Sequence, residues 1–340
     1  MIKKKILIVD SSSVVRRYLI KLFQDAGYEV KSAKNKEEVL SELSSTHFSL
    51  LILDSDMPNS ATLDILTEVM QQKPTRVLLL SSQHNTANTM QALNLGAIDS
   101  ILKPHNNIDI AKISHEILSK VENALKSMPN FLQKSREDFK KHDVSIDANI
   151  AMKFVLIGSS TGGPRLIEQI CKTLPENYPH ALCVVQHMPT DFTANFAKRL
   201  NSLSKVEVIE AESGIELQAG RVIIAKGGKH LHFKKKLKSI TTLLTSNINE
   251  RFFTPSVDEM FLSAAEVIPA KHILAIELTG IGDDGADGMV ALRKKGAYTI
   301  AESEKTAIVY GMPKEAAIRG GAQKVLDFND ILDEIIHYGQ

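Results

Sequence analysis

Short apolar runs alternate with helical periodicity through the first part of the chain. The pattern predicts strands at KKKILIVD, YEVKSA, FSLLILD, TRVLLLS and IDSILK. Between these runs apolar residues recur three and four positions apart, as at Val15, Leu19, Leu22 and Phe23. Alternating strands and helices form a parallel sheet that is covered by helices on both faces. Residues 1–125 are therefore predicted to form a (βα)5 domain of the α/β class.

A second series of apolar runs begins at residue 151 and continues to the end of the chain. It predicts strands at MKFVLIG, ALCVVQ, VEVIEA, RVIIA, HILAIELTG and AYTIAE, and a β-hairpin near residues 230–245. Helical periodicity separates most of these runs. Residues 151–340 are therefore predicted to form a second α/β domain, with a doubly wound, mostly parallel sheet and a β-hairpin.

The segment between the two series, residues 126–150, differs from both in composition. It is charged, contains one proline and has few aliphatic residues. Such a composition favours a connection rather than a packed element, so we predict a linker here.

The composition excludes several classes of function. Of the 340 residues, 43% are hydrophobic and 24% are charged, as in ordinary soluble proteins. Lysine plus arginine (41) nearly balances aspartate plus glutamate (40), so no global basic charge favours nucleic acid or an anionic membrane. No apolar run approaches the ~20 residues of a membrane span. We therefore expect no nucleic-acid partner, no membrane insertion and a cytoplasmic location.

Polar side chains stand at the ends of the predicted strands in the first domain. Asp10 ends the first strand, Asp54 the third, Ser81 the fourth and Lys103 the fifth. Ligands of an open parallel sheet bind outside the carboxyl ends of its strands, so these side chains should face one crevice. Carboxylates bind a hard cation such as Mg²⁺ or accept a phosphoryl group, and a lysine with a hydroxyl can hold phosphoryl oxygens.

This domain resembles the receiver domain of response regulators. The matching features are the four strand ends, Pro104 after Lys103, and the segments DSDMPN and LGAIDSILKP. The resemblance implies a flavodoxin-like fold with Asp54 as the phosphoacceptor, Ser81 and Lys103 in the receiver pocket, and a histidine kinase as the phosphodonor.

Two positions depart from the receiver pattern. Receivers usually carry two adjacent acids after the first strand, and here the second is Ser11, a poorer Mg²⁺ ligand than a carboxylate. We expect weakened metal binding at Asp10 and Asp54, and our hypothesis is that Asp56 supplies the missing carboxylate. Ser100 stands where receivers commonly carry an aromatic residue that reports phosphorylation to the outer face.

The second domain opens with a glycine-rich loop, FVLIGSSTGGPRLI at residues 154–167. A Walker-type phosphate loop needs lysine after its last glycine, whereas Pro164 stands here. A dinucleotide fingerprint needs glycine in place of Ser160. The Gly-x-Ser-x-Gly spacing of residues 158–162 instead predicts a tight strand-to-helix turn with a nucleophile at its tip. This geometry favours Ser160 over Ser159.

A serine nucleophile needs a histidine base and a carboxylate that orients the base. His187 directly follows the run ALCVVQ, so its strand end should face the same crevice as Ser160. The run HILAIELTG leads into GIGDDGADGM, which places Asp283 and Asp284 at a third strand end. Spacing alone does not separate these two aspartates.

Residues 151–340 resemble the catalytic domain of the chemotaxis protein-glutamate methylesterases, the CheB family. The resemblance rests on IGSSTGGP, VVQHMPTDFT, AKGGKHL, TPSVDEMFLSAAE, LTGIGDDGADGM and IVYGMPKEAA, in the family's order. It implies that Ser160 is the nucleophile, His187 the base and Asp284 its partner.

The same resemblance implies where the oxyanion is held. The site lies near Thr161 and at the backbone of Ile281. The family usually has methionine at the second position, and because a backbone amide would donate, isoleucine should be tolerated. Where an Asn-Asp pair is common, this chain has Asp283 and Asp284.

The activity implied by the resemblance is hydrolysis of glutamate γ-methyl esters on methyl-accepting chemoreceptors, with deamidation of receptor glutamines as a second activity. The histidine kinase of the chemotaxis system would phosphorylate the receiver, which would otherwise cover the active site. Mg²⁺ is expected at the receiver and no cofactor in the catalytic domain.

Two other functions remain open from the sequence. A catalytically silent adaptor that docks on receptor arrays would keep the fold without the reaction, although every triad position is present. A transcriptional response regulator would need a helix-turn-helix pattern or a basic face, and the second domain shows neither.

Overall fold

The computed structural model describes residues 3–58, 61–81, 86–103, 110–127, 151–188, 190, 192–237, 239–248 and 251–339. The chain divides into two units, residues 1–137 and 138–340. Most of the predicted linker, residues 128–150, lies outside the described residues, as does Pro104. Within the described part of the chain, no helix combines the length and the apolar character that crossing a membrane requires.

The first unit is a five-stranded parallel sheet. Its strands are β1 (Lys5–Val9), β2 (Glu29–Ala33), β3 (Leu50–Asp54), β4 (Val77–Ser81) and β5 (Asp99–Leu102). Its described helices are α1 (Ser13–Asp25), α2 (Lys36–Ser45), α3 (Ala61–Gln72), α4 (Thr86–Asn94) and α5 (Ile110–Lys126). The strand order is β2-β1-β3-β4-β5 with parallel pairing throughout, so the predicted (βα)5 fold is confirmed.

Burial in this unit follows the apolar pattern of the sequence. The central strand β3, LLILD, is buried at every position because helices cover both faces of a parallel sheet. Helix α1 begins after Ser12, whose side chain accepts a hydrogen bond from the N–H of Val15. Its apolar stripe buries Leu19 and Phe23.

The second unit contains nine described strands. They are β6 (Phe154–Ser159), β7 (Ala181–Gln186), β8 (Glu207–Glu210), β9 (Arg221–Ile224), β10 (His230–Lys235), β11 (Ile240–Thr245), β12 (Ile273–Glu277), β13 (Tyr298–Glu302) and β14 (Lys324–Leu326). Strands β10 and β11 pair as an antiparallel hairpin. The other seven form a sheet of order β14-β13-β12-β6-β7-β9-β8 in which all pairs are parallel.

Six described α-helices pack with these strands. They are α6 (Gly163–Thr173), α7 (Thr193–Leu203), α8 (Val257–Val267), α9 (Ala286–Lys294), α10 (Met312–Ile318) and α11 (Phe328–Ile336), with a 3₁₀ turn at Ala270–His272. The predicted α/β architecture with a hairpin is confirmed. The short edge strand β14 was not predicted from the sequence, because it has only three residues, two of them exposed, and so carries little apolar pattern.

Strand β6 lies between β7 and β12. The chain therefore adds β7 on one side of β6 and later adds β12 on the other side of β6. Such a reversal opens a crevice at the carboxyl ends of the strands involved. The ends of β6, β7 and β12 are the three at which the sequence predicts serine, histidine and aspartate.

Candidate active site

The loop after β6 makes a sharp turn that leads directly into α6. Gly162 has a φ of 83°, in the left-handed region that favours glycine, and a Cβ there would lie 2.2 Å from Ile308 Cδ1. The N–H of Ser160 donates to the carbonyl of Thr279 (2.9 Å), and the N–H of Gly163 donates to the carbonyl of Ser160 (2.9 Å). These bonds hold Ser160 at the tip of the turn.

The two adjacent serines of the turn have different surroundings. Ser159 is completely buried and donates its hydroxyl to Oε1 of Gln186 at 2.7 Å. Ser160 keeps 6% of its surface exposed. Because the Ser159 hydroxyl is engaged inside the core, Ser160 is the better placed of the two to meet a substrate.

His187 follows β7 directly and pairs with Asp284. Its ring Nε2 lies 2.7 Å from Asp284 Oδ2. Its Nδ1 is buried and has no hydrogen-bond partner among the described residues. A carboxylate can only accept, so Nε2 is the donor of this bond, and in the neutral ring Nδ1 carries the lone pair that a base requires. In the best-known serine protease triads the two ring nitrogens have the opposite assignment.

An aromatic ring covers one face of this imidazole. Phe253 stacks on His187 with a centroid separation of 4.0 Å and an interplanar angle of 11°. The backbone N–H of His187 donates to the carbonyl of Ser159 at 3.0 Å, next to the nucleophile turn. The ring is therefore fixed by a carboxylate at its edge and by a phenyl group on its face.

Asp284 binds at the N-terminus of helix α8. Its Oδ1 accepts hydrogen bonds from Ser256 Oγ (2.6 Å) and from the N–H of Asp258 (3.0 Å), and its Oδ2 also accepts one from the N–H of Val257 (2.7 Å). Burial alone would raise the pKa of Asp284, but these bonds and the one from His187 lower it to about 2. The carboxylate is therefore ionised and held by a helix end, which favours anions.

The neighbouring aspartate has different partners. Asp283 forms an ion pair with Arg319 on the surface, and 61% of its side chain is exposed. Arg319 also contacts Asp287 at 3.0 Å and Glu315 at 3.3 Å. The structure thus separates the two aspartates that spacing left unresolved, since it pairs Asp284, and not Asp283, with the imidazole.

The segment after β12 packs against the nucleophile turn. Thr279 accepts the N–H of Ser160 and donates its hydroxyl to the carbonyl of Thr161 at 2.9 Å. A Cβ at Gly280 would lie 2.9 Å from Ser160 Cβ, so glycine permits this close approach. The predicted oxyanion residues, Thr161 and Ile281, therefore lie on two segments that contact each other at Ser160.

Two buried acids lie close to Asp284. Glu277, at the end of β12, is completely buried, and neither of its carboxyl oxygens has a hydrogen-bond partner among the described residues. Burial, and then the charges of Asp284 and Asp258, raise the pKa of Glu277 well above its ordinary value. Burial likewise raises the pKa of Asp258 to about 6. The raised pKa favours the neutral form of Glu277, which places no second full charge beside the triad carboxylate.

A third buried acid supports the segment that holds Ser160. Glu302, at the end of β13, accepts hydrogen bonds from the N–H of Thr279 (2.8 Å) and from the hydroxyl of Thr306 (2.9 Å). Burial raises the pKa of Glu302 to about 7 although both bonds oppose the shift. Either protonation state satisfies this arrangement, because the protonated acid can donate to the Thr306 oxygen.

A second polar cluster lies at the strand ends of the first unit. Lys103 Nζ is 2.6 Å from Asp54 Oδ1 and 3.4 Å from Asp10 Oδ2. Both carboxylates are buried, and Asp10 Oδ2 accepts no hydrogen bond from the described residues. Burial raises the pKa of Asp54; the hydrogen bond from Lys103 opposes this shift, and the charge of Asp10 adds to it. Two like charges therefore share a site with one ammonium group.

Asp56 lies at the margin of this cluster. Its carboxylate is 3.8 Å from Lys103 Nζ and 24% exposed, and its N–H donates to Asp54 Oδ1 at 2.7 Å. Among the described residues, no group of three or more histidine, cysteine, aspartate or glutamate side chains could hold a metal ion. Asp56 thus borders the pair formed by Asp10 and Asp54, and its role as a Mg²⁺ ligand stays a prediction.

Ser81 adjoins the same pocket. Its carbonyl accepts the N–H of Lys103 at 2.9 Å, and its hydroxyl shares a 2.8 Å hydrogen bond with Thr89 on α4. Ser100 is buried on β5, and its carbonyl accepts a hydrogen bond from Lys120 at 2.6 Å. The strand ends thus bring the two carboxylates to the Lys103 ammonium group and the backbone of Ser81 to that of Lys103.

Two family models match the chain over most of its length. One, described as CheB methylesterase, matches residues 155–335, and the other, described as response regulator receiver domain, matches residues 6–115. The chain belongs to the CheB methylesterase family. The resemblance identified from the sequence is confirmed.

Relatives of this CheB protein align with nearly all of its length. One from Carboxydothermus hydrogenoformans, named protein-glutamate methylesterase/protein-glutamine glutaminase 2, is 39% identical over 99% of both chains. One from Archaeoglobus fulgidus, named protein-glutamate methylesterase/protein-glutamine glutaminase, is 36% identical over 98% of this chain and 97% of its own. The crystal structure of the Thermotoga maritima CheB methylesterase catalytic domain is 40% identical, with a TM-score of 0.53, and covers 55% of this chain and 98% of that one.

Three residues of this CheB site were not predicted from the sequence. Gln186, Phe253 and Ser256 contact the triad or the nucleophile turn. A signal existed for Ser256, because a serine three positions before Glu259 is typical of a helix N-terminus. It predicts where α8 begins, but it does not predict that a distant aspartate binds there.

Proposed function

We propose that this CheB protein acts in the cytoplasm, where it hydrolyses glutamate γ-methyl esters on methyl-accepting chemoreceptors and deamidates receptor glutamines. The observation that carries the proposal is the 2.7 Å contact between His187 Nε2 and Asp284, which leaves Nδ1 open beside the turn that presents Ser160. The names of the relatives, which pair methylesterase with glutaminase, support an enzyme over a silent adaptor.

The proposed reaction begins with proton transfer to His187. Nδ1 takes the proton of the Ser160 hydroxyl as Oγ attacks the ester carbonyl, and Asp284 stabilises the imidazolium that forms. The tetrahedral oxyanion would be held near Thr161 and by the backbone N–H of Ile281. Such donors typically contribute about 10²- to 10³-fold to the rate.

The second half of the reaction reverses these roles. The Nδ1 proton passes to the leaving methoxide oxygen, methanol departs, and an acyl-enzyme remains on Ser160. Nδ1 then accepts a proton from water, which attacks the acyl carbon. The bond between that carbon and Ser160 Oγ breaks, the proton passes from Nδ1 to Oγ, and the free glutamate side chain leaves. With a glutamine substrate the leaving group is ammonia and the remaining steps are the same.

A direct test measures methanol released from a chemoreceptor fragment that carries radiolabelled methyl esters. We expect volatile label to appear in proportion to the ester lost, and ammonia to be released from a fragment that carries glutamine instead. A chain that co-sediments with the receptor but releases no methanol would contradict the proposal and favour the adaptor.

We infer that Asp54 is the phosphoacceptor and that the histidine kinase of the chemotaxis system is the phosphodonor. Asp10 and Asp54 fit Mg²⁺, because they are adjacent buried carboxylates, and this ion needs one or two carboxylates and retains several waters. When bound, the ion supplies charge neutralisation. Lys103 and Ser81 would hold the phosphoryl oxygens, and phosphorylation would relieve inhibition by the receiver.

A small-molecule phosphodonor tests this switch. Acetyl phosphate with Mg²⁺ should raise methanol release by about 5- to 150-fold, the usual range of allosteric coupling, and should not change the rate of Asp54→Asn. Ser11→Asp should lower the Mg²⁺ concentration required, because a carboxylate is the better ligand. If the unmodified chain has a basal rate that acetyl phosphate leaves unchanged, the receiver does not work as a phosphorylation switch.

A further inference from the structure

Gln186 connects the nucleophile turn to the catalytic histidine. It is the last residue of β7, directly precedes His187 and is 1% exposed. Its Oε1 accepts the hydroxyl of Ser159 at 2.7 Å, and its Nε2 donates to the carbonyl of Ser160 at 2.8 Å and to that of His187 at 3.1 Å. One side-chain amide therefore bonds to the main chain of both reacting residues.

The partners of this amide determine which way it points. Both groups beside Nε2 are carbonyl oxygens, which can only accept, whereas the group beside Oε1 is a hydroxyl, which can donate. Turning the amide by 180° would set its oxygen against the carbonyls of Ser160 and His187. Both N–H donors of the amide are in use, so the side chain has a single favourable orientation.

We propose that Gln186 is a positioning residue of the methylesterase reaction: its amide fixes Ser160 relative to His187 and so sets the geometry of proton transfer between them. This inference rests on the proposed function, since it takes these two residues as nucleophile and base. A displacement of about 1 Å at a reacting group can lower a rate by about 10²-fold. Loss of the two hydrogen bonds donated by Nε2 should therefore lower kcat.

A purely structural role would have another signature. If Gln186 did no more than satisfy buried carbonyls, its loss would lower the melting temperature and leave the kcat of the folded protein unchanged. A positioning role instead lowers kcat while KM stays the same. The reason is that the amide bonds to the backbone carbonyls of Ser160 and His187 and not to the substrate.

Gln186→Met is the main test, since methionine has a similar length and no donor. In the full chain we expect kcat for methanol release to fall about 10- to 100-fold, with KM for the methylated receptor within about 2-fold. The rate at which a fluorophosphonate labels Ser160 should fall by the same factor, although that reagent needs no receptor. Gln169→Met, the same substitution on α6 at a residue that bonds to Thr173, should leave both rates unchanged.

Gln186→Glu is a second variant that keeps the shape of the side chain. An ionised carboxylate offers no donor to the two carbonyls, while a protonated one restores a single donor. Because both forms have fewer donors than the amide, kcat of this variant should stay below that of the unmodified chain at every pH, and the deficit should be larger wherever the carboxylate is ionised. This measurement remains decisive if the methionine variant does not fold.

The outcomes separate this inference from the proposed function. If the unmodified chain is active and Gln186→Met, folded by its melting curve, has kcat and labelling rates within 2-fold of it, Gln186 does not position the reacting groups. A Gln186→Glu variant that is folded and has the kcat of the unmodified chain at every pH would overturn the inference in the same way. If the unmodified chain neither releases methanol nor reacts with the fluorophosphonate, it is the proposed function that fails.

Discussion

Replacing Ser160 by alanine should lower methanol release from methylated receptor by on the order of 10⁵- to 10⁶-fold. The variant retains His187 and Asp284 but has no hydroxyl with which to form the acyl-enzyme. Substrate binding and the oxyanion donors should leave a small residual rate above the uncatalysed one. Initial rates of methanol release measure the effect, and the melting temperature should be nearly unchanged because only one oxygen is lost.

Ser159→Ala is the matched control one residue away. It removes a hydroxyl that is completely buried and bonded to Gln186, so we expect a loss of stability of about 1–3 kcal/mol. Both Nε2 bonds of Gln186 remain, and kcat should fall by less than about 10-fold. An equal loss of activity in the two alanine variants would show that Ser160 is not the nucleophile.

Asp284→Asn should lower kcat by about 10⁴-fold, as the equivalent change does in a serine protease. The Asp284 oxygens accept bonds from four donors: Ser256, Val257, Asp258 and His187. An asparagine amide has one oxygen, so its NH₂ group must face the imidazole or a backbone N–H. A donor beside Nε2 favours the tautomer that carries its proton on Nδ1, which then cannot accept the proton of Ser160.

The control for this variant is Asp283→Asn. This neighbouring carboxylate is exposed and paired with Arg319, so its neutralisation should change kcat by less than about 3-fold. Methanol release by the two asparagine variants, measured at one pH and one salt concentration, gives the comparison. Comparable losses in both would contradict the assignment of Asp284 as the partner of His187.

Much of the fold could be predicted because burial in an α/β protein repeats locally. Strands such as β3 are apolar at every position, and helices such as α1 repeat apolar residues every three or four positions. Strand order is not a local property. That β6 lies between β7 and β12, and that β14 adds an edge, depends on packing between residues far apart in the chain.

The candidate site was predictable where a residue follows its strand directly. Ser160 and His187 belong to this class, since the carboxyl ends of neighbouring parallel strands meet at one edge of a sheet. The distinction between Asp283 and Asp284 was not predictable from spacing, because it depends on Arg319 and on the start of α8, which lie elsewhere in the sequence. Phe253 and Gln186 contact His187 and Ser160 through tertiary packing alone.

The buried glutamates of the catalytic unit make its folding depend on pH. Burial raises the pKa of Glu302 from 4.5 to about 7 and that of Glu277 well above 4.5. In an unfolded chain both would be ionised at neutral pH, so the folded state binds more protons than the unfolded one. The stability associated with these groups is complete below the unfolded pKa and is lost as pH rises through the folded pKa. Folding in a neutral solution therefore takes up protons, and the catalytic unit releases them again whenever it unfolds.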